Sequence, residues 1–284
     1  MEPAKVVLAK GRPMTDISPA VTPENIEAVV DDVRARSPLV HCITNTVVAN
    51  FTANLLLAAG AAPAMVDAPE EAGILASVAG ALLINLGTVT NAQGEGMRAA
   101  IAGADKAGVP WVLDPVAIGA LPMRTALAKE FAELRPAVIR GNASEIGALA
   151  GGAGGRGVDS TATPDELAQV AAQVARRFGT VVAMSGPVDL ITDGSRTVRV
   201  ASGSPMLTRV TGVGCALGAL IGAGIAVASD RLAAVAAATA WICVAGEQSA
   251  ATTSGIGTFG VSLVNAVDVL PAREIGIRAR VSRG

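Results

Sequence analysis

Six short apolar runs, at residues 39–43, 63–66, 82–86, 111–113, 137–139 and 181–184, constrain the fold of this chain more than any other feature. Each is nearly all apolar, as a strand must be when helices cover both faces of a parallel sheet. Helix-start signals stand between them. Pro69-Glu70-Glu71 places acids in a first turn, and Thr163-Pro164-Asp165-Glu166 supplies an N-cap, an N1 proline and two more acids. The alternation predicts a layered α/β fold with a mainly parallel central sheet. Residues 189–193 and 197–200 predict instead a hairpin turning at Asp193-Gly194. Beyond residue 212 the pattern becomes purely helical. No linker divides the chain, so residues 1–22 are expected to form a partly ordered extension and residues 23–284 one domain. The glycine-rich stretch 151–157 is expected as a flexible surface loop.

Composition narrows the function. A net charge of -2 argues against nucleic acid as a partner, because phosphate binding wants a basic face. Aromatics are 2% with no tyrosine, too few for base-stacking platforms. Cys42, Cys215 and Cys243 are too few and too scattered for a disulfide framework or a zinc site. The one histidine, His41, removes Ser-His-Asp and Cys-His catalysis unless it is itself the base. His41 and Cys42 read as core of a buried strand, and Cys243 as packing in an apolar helix. The apolar stretch 213–229 falls short of the ~20 residues a bilayer span needs, and 232–246 is shorter still. Both read as buried helices, not membrane spans. The first 20 residues lack the apolar segment of a signal peptide, so a cytoplasmic setting is expected.

Polar residues gather where the apolar runs end. Run 39–43 leads into Thr44-Asn45, and run 82–86 contains Asn85 before Gly87-Thr88. Run 111–113 leads into Asp114-Pro115, run 137–139 into Arg140-Gly141-Asn142, and run 181–184 into Ser185-Gly186. In an open α/β sheet the carboxyl ends of the strands share one edge, and ligands bind there. Asn45, Asp114, Arg140, Asn142, Glu145 and Ser185 are therefore candidates for one cleft. Each alone has a plainer reading as a helix cap or a turn; repetition over five strands favours function. Asp114 and Glu145 are the carboxylates placed nearest a metal, since magnesium takes one or two and leans on substrate phosphates. Glu145 equally suits a capping box with Asn142. Arg140, ending a buried strand, calls for an anion, and phosphate is the natural one.

The stretch RVTGVGCALGALIGAG, residues 209–224, adds an anion pocket. Gly212 and Gly214 let backbone N–H groups approach a ligand, and a helix beginning near Cys215 adds its positive end. Two anions could use it: a transferring phosphoryl group, or a Cys215 thiolate with a lowered pKa. A Walker-type phosphate loop is excluded, and the GxGxxG match at 255–260 follows a predicted helix rather than a strand, which makes it a weak dinucleotide fingerprint.

The blocks VHCITNTVVANFTANLLLAAGAAPAMVDAPEEA, LLINLGT, VLDPVAIGA, IRGNASEIGALAG and VTGVGCALGAL together resemble the hydroxyethylthiazole kinase family, over about residues 38–266. That resemblance implies a ribokinase-like fold and transfer of a phosphoryl group from MgATP to the primary alcohol of 4-methyl-5-(2-hydroxyethyl)thiazole in thiamine salvage. It implies a homotrimer with sites near subunit boundaries. It places the thiazole near Asn45, Met65 and Gly212, ATP at Arg140 and Ser185 beside Gly214, and magnesium (Mg2+) at Asp114 and Glu145. Cys215 takes the position that related kinases fill with a catalytic aspartate, and Ser185 stands where threonine is more usual. The rival readings are a hydroxymethylpyrimidine or pyridoxal kinase or a nicotinamide-nucleotide hydrate dehydratase of the same fold, and a non-catalytic nucleotide-binding protein.

Overall fold

The computed structural model describes residues 21–151 and 163–284. Most of the extension and of the glycine-rich stretch therefore lie outside the described residues. Reciprocal caps start several helices. In α1 (Pro23–Arg36), Thr22 Oγ1 accepts from Asn25 N while Asn25 Oδ1 accepts from Thr22 N, and a proline opens the first turn. Strand β1 (Leu39–Ile43) follows, then α2 (Ala49–Ala58), β2 (Ala62–Ala64), α3 (Pro69–Val78), β3 (Ala81–Asn85), α4 (Asn91–Ala107) and β4 (Trp111–Asp114). Next come α5 (Pro122–Glu133), β5 (Val138–Asn142), α6 (Ala143–Ala150), α7 (Pro164–Phe178) and β6 (Val181–Ser185). Thr163 caps α7 with Glu166 in the reciprocal position, as its sequence signal predicts.

All six apolar runs become neighbouring strands of one sheet, ordered β2-β1-β3-β4-β5-β6 and parallel throughout. The expected hairpin forms as β7 (Asp189–Thr192) and β8 (Thr197–Val200), with Gly194 at φ 90° in its turn. It adds two antiparallel strands beyond β6. Helices α8 (Val213–Val227), α9 (Arg231–Thr252), α10 (Ile256–Val269) and α11 (Ala272–Arg278) complete the helical run. The expectation of pure helix beyond residue 212 fails at the end of the chain. Residues Val281–Arg283 form β9, antiparallel to β8, which makes the sheet nine-stranded. Helix periodicity hid a strand of three residues. Likewise the run 63–66 pairs only over β2, because the ladder to β1 stops at His41↔Ala64.

Within the apolar runs, alternate residues face different helical layers. Val40, Cys42, Leu83 and Val112 pack with α1, α2 and α8–α11, whereas Ile43, Leu82, Ile84 and Leu113 pack with α3–α7. Period-two burial on both faces is why these strands are nearly all apolar, with His41 in β1 and Asn85 at the end of β3 as exceptions. In the first layer Trp241 is fully buried, its Nε1 donates to the Val267 carbonyl at 3.1 Å, and Arg34 lies 5.1 Å over its ring. Helix α9 runs 22 residues, through Glu247, and is long and apolar enough to cross a bilayer; nearly all of its apolar stretch is buried within the protein. It thus exceeds the segment 232–246 read from sequence, since a single acid at a helix surface does not end the helix. In the second layer α3 and α4 meet through glycine. A Cβ on Gly103 would collide with the Gly73 carbonyl, so the two backbones touch where side chains would hold them apart.

Candidate active site

At the carboxyl edge of the parallel strands, β4 delivers Asp114 fully buried. Its Oδ2 accepts from Asn85 Nδ2 at 2.8 Å, from the end of β3, and stands 3.6 Å from Arg140 Nη1 on β5. Its Oδ1 and the Arg140 Nε have no hydrogen-bond partner among the described residues. Burial pushes the Asp114 carboxyl up to about 7; Arg140 opposes this, and Glu145 adds to it. A buried carboxylate oxygen without a donor is the group a hard cation would satisfy. Among the described residues no three His, Cys, Asp or Glu side chains gather closely enough to form a metal cage.

Arg140 Nη2 donates to Ser185 Oγ at 2.9 Å, which ties the end of β5 to that of β6. On its other side the guanidinium presses against the first turn of α8. A Cβ on Gly214 would lie 2.8 Å from Arg140 Nη1. Gly212, at φ 94°, is the N-cap of α8 and offers no side-chain cap to its N–H groups. A Cβ there would be 2.7 Å from Val48, so glycine is required on both counts. An arginine set against an uncapped helix start brings two positive features together, an arrangement suited to an anion between them.

Cys215 sits one residue after Gly214 and is buried. Burial and the neighbouring Asp114 push its thiol up, while Asn85 and Arg140 act in the opposite direction. This corrects one of the two roles the sequence left open for the glycine turn. The helix end does not make Cys215 a thiolate, because desolvation and a carboxylate outweigh it. The turn is better matched to an incoming anion.

Glu145 takes its structural role in full. Its Oε2 accepts from Asn142 N at 2.8 Å while Asn142 Oδ1 accepts from Glu145 N at 2.9 Å, the capping box of α6. Its Oε1 accepts from Ala117 N at 2.9 Å, which fixes the loop after Asp114-Pro115. The same carboxylate helps to raise the Asp114 pKa, so the two acids feel each other's charge. Asn45 caps the turn at the end of β1 through Val47 N at 3.0 Å and packs on Gly87. Met65 stands just past β2, 37% exposed. The structure therefore joins Asp114, Arg140, Glu145, Ser185, Gly214 and Cys215 into one centre, with Asn45, Gly212 and Met65 on the same edge but outside it. His41, Cys42 and Cys243 are buried as expected. Cys243 does more than pack, since its Sγ lies 3.5 Å from Asp189 Oδ2.

Two further residues belong to the centre: Asn85, noted in the sequence but not counted among the cleft candidates, and Asp189, which the sequence reading missed. Asn85, inside an apolar run, bridges toward both Asp114 and Cys215. Asp189, in the hairpin, accepts from Gly186 N at 3.0 Å and closes the Ser185-Gly186 turn. An open cavity of 330 Å³ on this edge is lined by Thr46, Asp67, Thr88, Thr90 and Gln93. A groove of 500 Å³ runs between α2 and α10, lined by Phe51, Val210, Ile256, Val261 and Val264 among others. Neither is lined by Asp114, Arg140 or Cys215.

A model of the hydroxyethylthiazole kinase family matches residues 30–273. The chain belongs to that family. It is 50% identical over 272 residues to a hydroxyethylthiazole kinase of Clavibacter sepedonicus, covering 95% of this chain and 98% of that one. It is 54% identical over 249 residues to the hydroxyethylthiazole kinase of Cronobacter sakazakii, covering 87% and 93%. Among solved structures it superposes on a hydroxyethylthiazole kinase protein of Pyrococcus horikoshii with a TM-score of 0.86 at 38% identity, covering 92% and 99%. Pyridoxal kinase of Bacillus subtilis, at 17% identity and a TM-score of 0.56 over 73% of this chain and 90% of that one, shares the fold alone. The ribokinase-like fold and the kinase assignment expected from the motif blocks are borne out.

Proposed function

We propose that the charged centre transfers the γ-phosphoryl group of ATP to the hydroxyl of 4-methyl-5-(2-hydroxyethyl)thiazole, in thiamine salvage. The observation that carries this reading is the Arg140 guanidinium, held by Ser185 and set against the uncapped start of α8 beside the orphaned oxygen of Asp114. Phosphoryl transfer asks a protein for position and charge rather than covalent chemistry. Arg140 and Ser185 hold the nucleotide's phosphates, and the N–H groups at Gly214 and Cys215 face the charge that develops on the moving group. Asp114 and Glu145 would hold Mg2+, which when bound neutralises phosphate charge. Glu145 would release a backbone contact to do so.

Cys215 contacts the substrate hydroxyl and orients it. A thiol pushed up in pKa is a poor base at neutral pH, so its share in accepting the proton is small. A loose transition state asks for little deprotonation before transfer, and a neutral thiol suffices. The thiazole ring lies toward Asn45, Met65 and the backbone of Gly212. Residues 23–284 act as one kinase domain, supported by the continuous nine-stranded sheet. The enzyme works in the cytoplasm as a homotrimer. The apolar groove between α2 and α10, where Val261 is exposed, suits a subunit contact.

The test is ATP consumption with magnesium over a panel of hydroxyethylthiazole, hydroxymethylpyrimidine and pyridoxal, with an alcohol-free control. Selective turnover of the thiazole is expected. Preference for either other alcohol would overturn the substrate assignment.

A further inference from the structure

His41 is the sole histidine of the chain, and it is fully buried in the middle of β1. Its Nε2 lies 2.6 Å from the carbonyl oxygen of Val66. A carbonyl only accepts, so Nε2 carries the hydrogen and Nδ1 is bare. Nδ1 has no partner among the described residues. Burial without a second acceptor keeps the ring neutral, its pKa below the ordinary value.

The place of this bond matters. Strand β2 is an edge strand of three residues with Pro63 at its centre, and its ladder with β1 stops at Ala64. Ala62 N donates to the Pro38 carbonyl at 3.0 Å, so the Pro63 nitrogen faces the free edge, and a ladder of only three residues holds its end weakly. Two residues further on, the His41 side chain takes over where the backbone pairing has stopped. Asp67 is then fixed in turn. Its Oδ2 accepts from Gln93 Nε2 at 3.1 Å, and its carbonyl lies where a Cβ on Gly96 would be. Between Ala64, held by the ladder, and Val66, held by His41, stands Met65, whose side chain remains partly exposed.

We infer that His41 is a positioning residue for the alcohol substrate: acting through the Val66 carbonyl, it holds Met65 at the carboxyl edge of the sheet. The inference rests on the reading of Met65 as a wall of the thiazole subsite. It gives the buried imidazole a task in binding, with no proton transfer.

Steady-state kinetics with hydroxyethylthiazole and ATP varied separately test it, on His41→Leu, His41→Gln, Met65→Ala and the double variant His41→Leu/Met65→Ala. Leucine removes the donor, whereas glutamine offers an amide N–H near the position of Nε2. His41→Leu should raise KM for the thiazole about tenfold, the scale of one hydrogen bond, and leave KM for ATP within about twofold. His41→Gln should recover most of the loss. Met65→Ala should add little on top of His41→Leu, since both act on one contact. Equal changes in both KM values, or full additivity with Met65→Ala, would sink the inference. If His41→Leu does not fold, the wild type decides. Nitrogen-15 NMR of the tag-free protein shows one imidazole, expected as the Nε2–H tautomer and shifted by hydroxyethylthiazole but not by ATP. An Nδ1–H tautomer, or no response to hydroxyethylthiazole, refutes it. A wild type that turns over a different alcohol overturns the substrate reading alone; the same KM split, with that alcohol as NMR probe, would still test His41.

Discussion

Replacing Asp114 with asparagine should make the metal-free protein more stable at alkaline pH while removing its activity. Buried in the fold, the carboxyl ionises at about 7, against 3.8 when unperturbed. Between those pH values the folded protein keeps a proton that the unfolded chain has lost. Its stability therefore falls as pH rises through that window and levels off above about 7. At about 1.36 kcal/mol per pH unit, the interval from 3.8 to about 7 corresponds to about 4 kcal/mol. Asparagine cannot ionise, keeps the shape of the group and can still accept from Asn85, so its fold escapes that loss. Groups common to both proteins cancel in the comparison. Urea unfolding of wild type and Asp114→Asn, in chelator, at several values from about pH 4 to about pH 8, measures the difference directly. The stability of the variant relative to wild type should climb by about 4 kcal/mol across the series. Magnesium should stabilise the wild type at the alkaline end and leave the variant unmoved, while turnover falls about a hundredfold or more. A flat difference across the series, or one that declines with pH, would refute the account of Asp114 as a carboxylate held at a cost for catalysis.

Cys215→Ala should slow turnover about 10- to 100-fold without abolishing it, and Cys215→Asp should remain active; a folded, ATP-binding but inactive aspartate variant would count against the orienting role. Because burial and Asp114 raise its pKa, Cys215 should react with iodoacetamide near pH 8 more slowly than a free thiol, which mass spectrometry of the labelled peptide would show. Arg140→Ala should raise KM for ATP about 10- to 100-fold, read from initial rates. Gly214→Ala should raise it less, because the new methyl shifts the guanidinium without removing it. Gly103→Val, which forces α3 from α4, should lower stability by about 1–3 kcal/mol or more in urea unfolding.

The sheet was legible because its strands are buried on both faces, so that runs such as 82–86 carry no competing helical period. The edge was legible because function collects at strand ends, which sequence order marks with Asp114-Pro115, Arg140 and Ser185-Gly186. Asn85 was not, since an asparagine next to a glycine turn reads equally well as a cap, and its bond to a residue 29 positions away is set by register alone. Asp189 escaped for the same reason, being alone at the start of a hairpin strand. The thiol of Cys215 was misjudged in one of its two readings because a glycine turn advertises its helix dipole, whereas the burial and the carboxylate that outweigh it come from other strands. Strand β9 lies beyond four helices and is too short to carry a period of its own.

The layering also has a kinetic side. The six parallel strands are synthesised by Ser185, but the face carrying Val40, Cys42, Leu83 and Val112 is covered largely by α8 and α9, and α9 ends 67 residues later, at Thr252. At about 5–20 residues per second, a ribosome leaves that apolar face uncovered for about 3–13 s. Parallel sheets are slow to pair and prone to associate while bare. The nascent sheet is thus the species a chaperone would meet, and a chain cut at residue 212 should aggregate rather than persist as an inactive monomer.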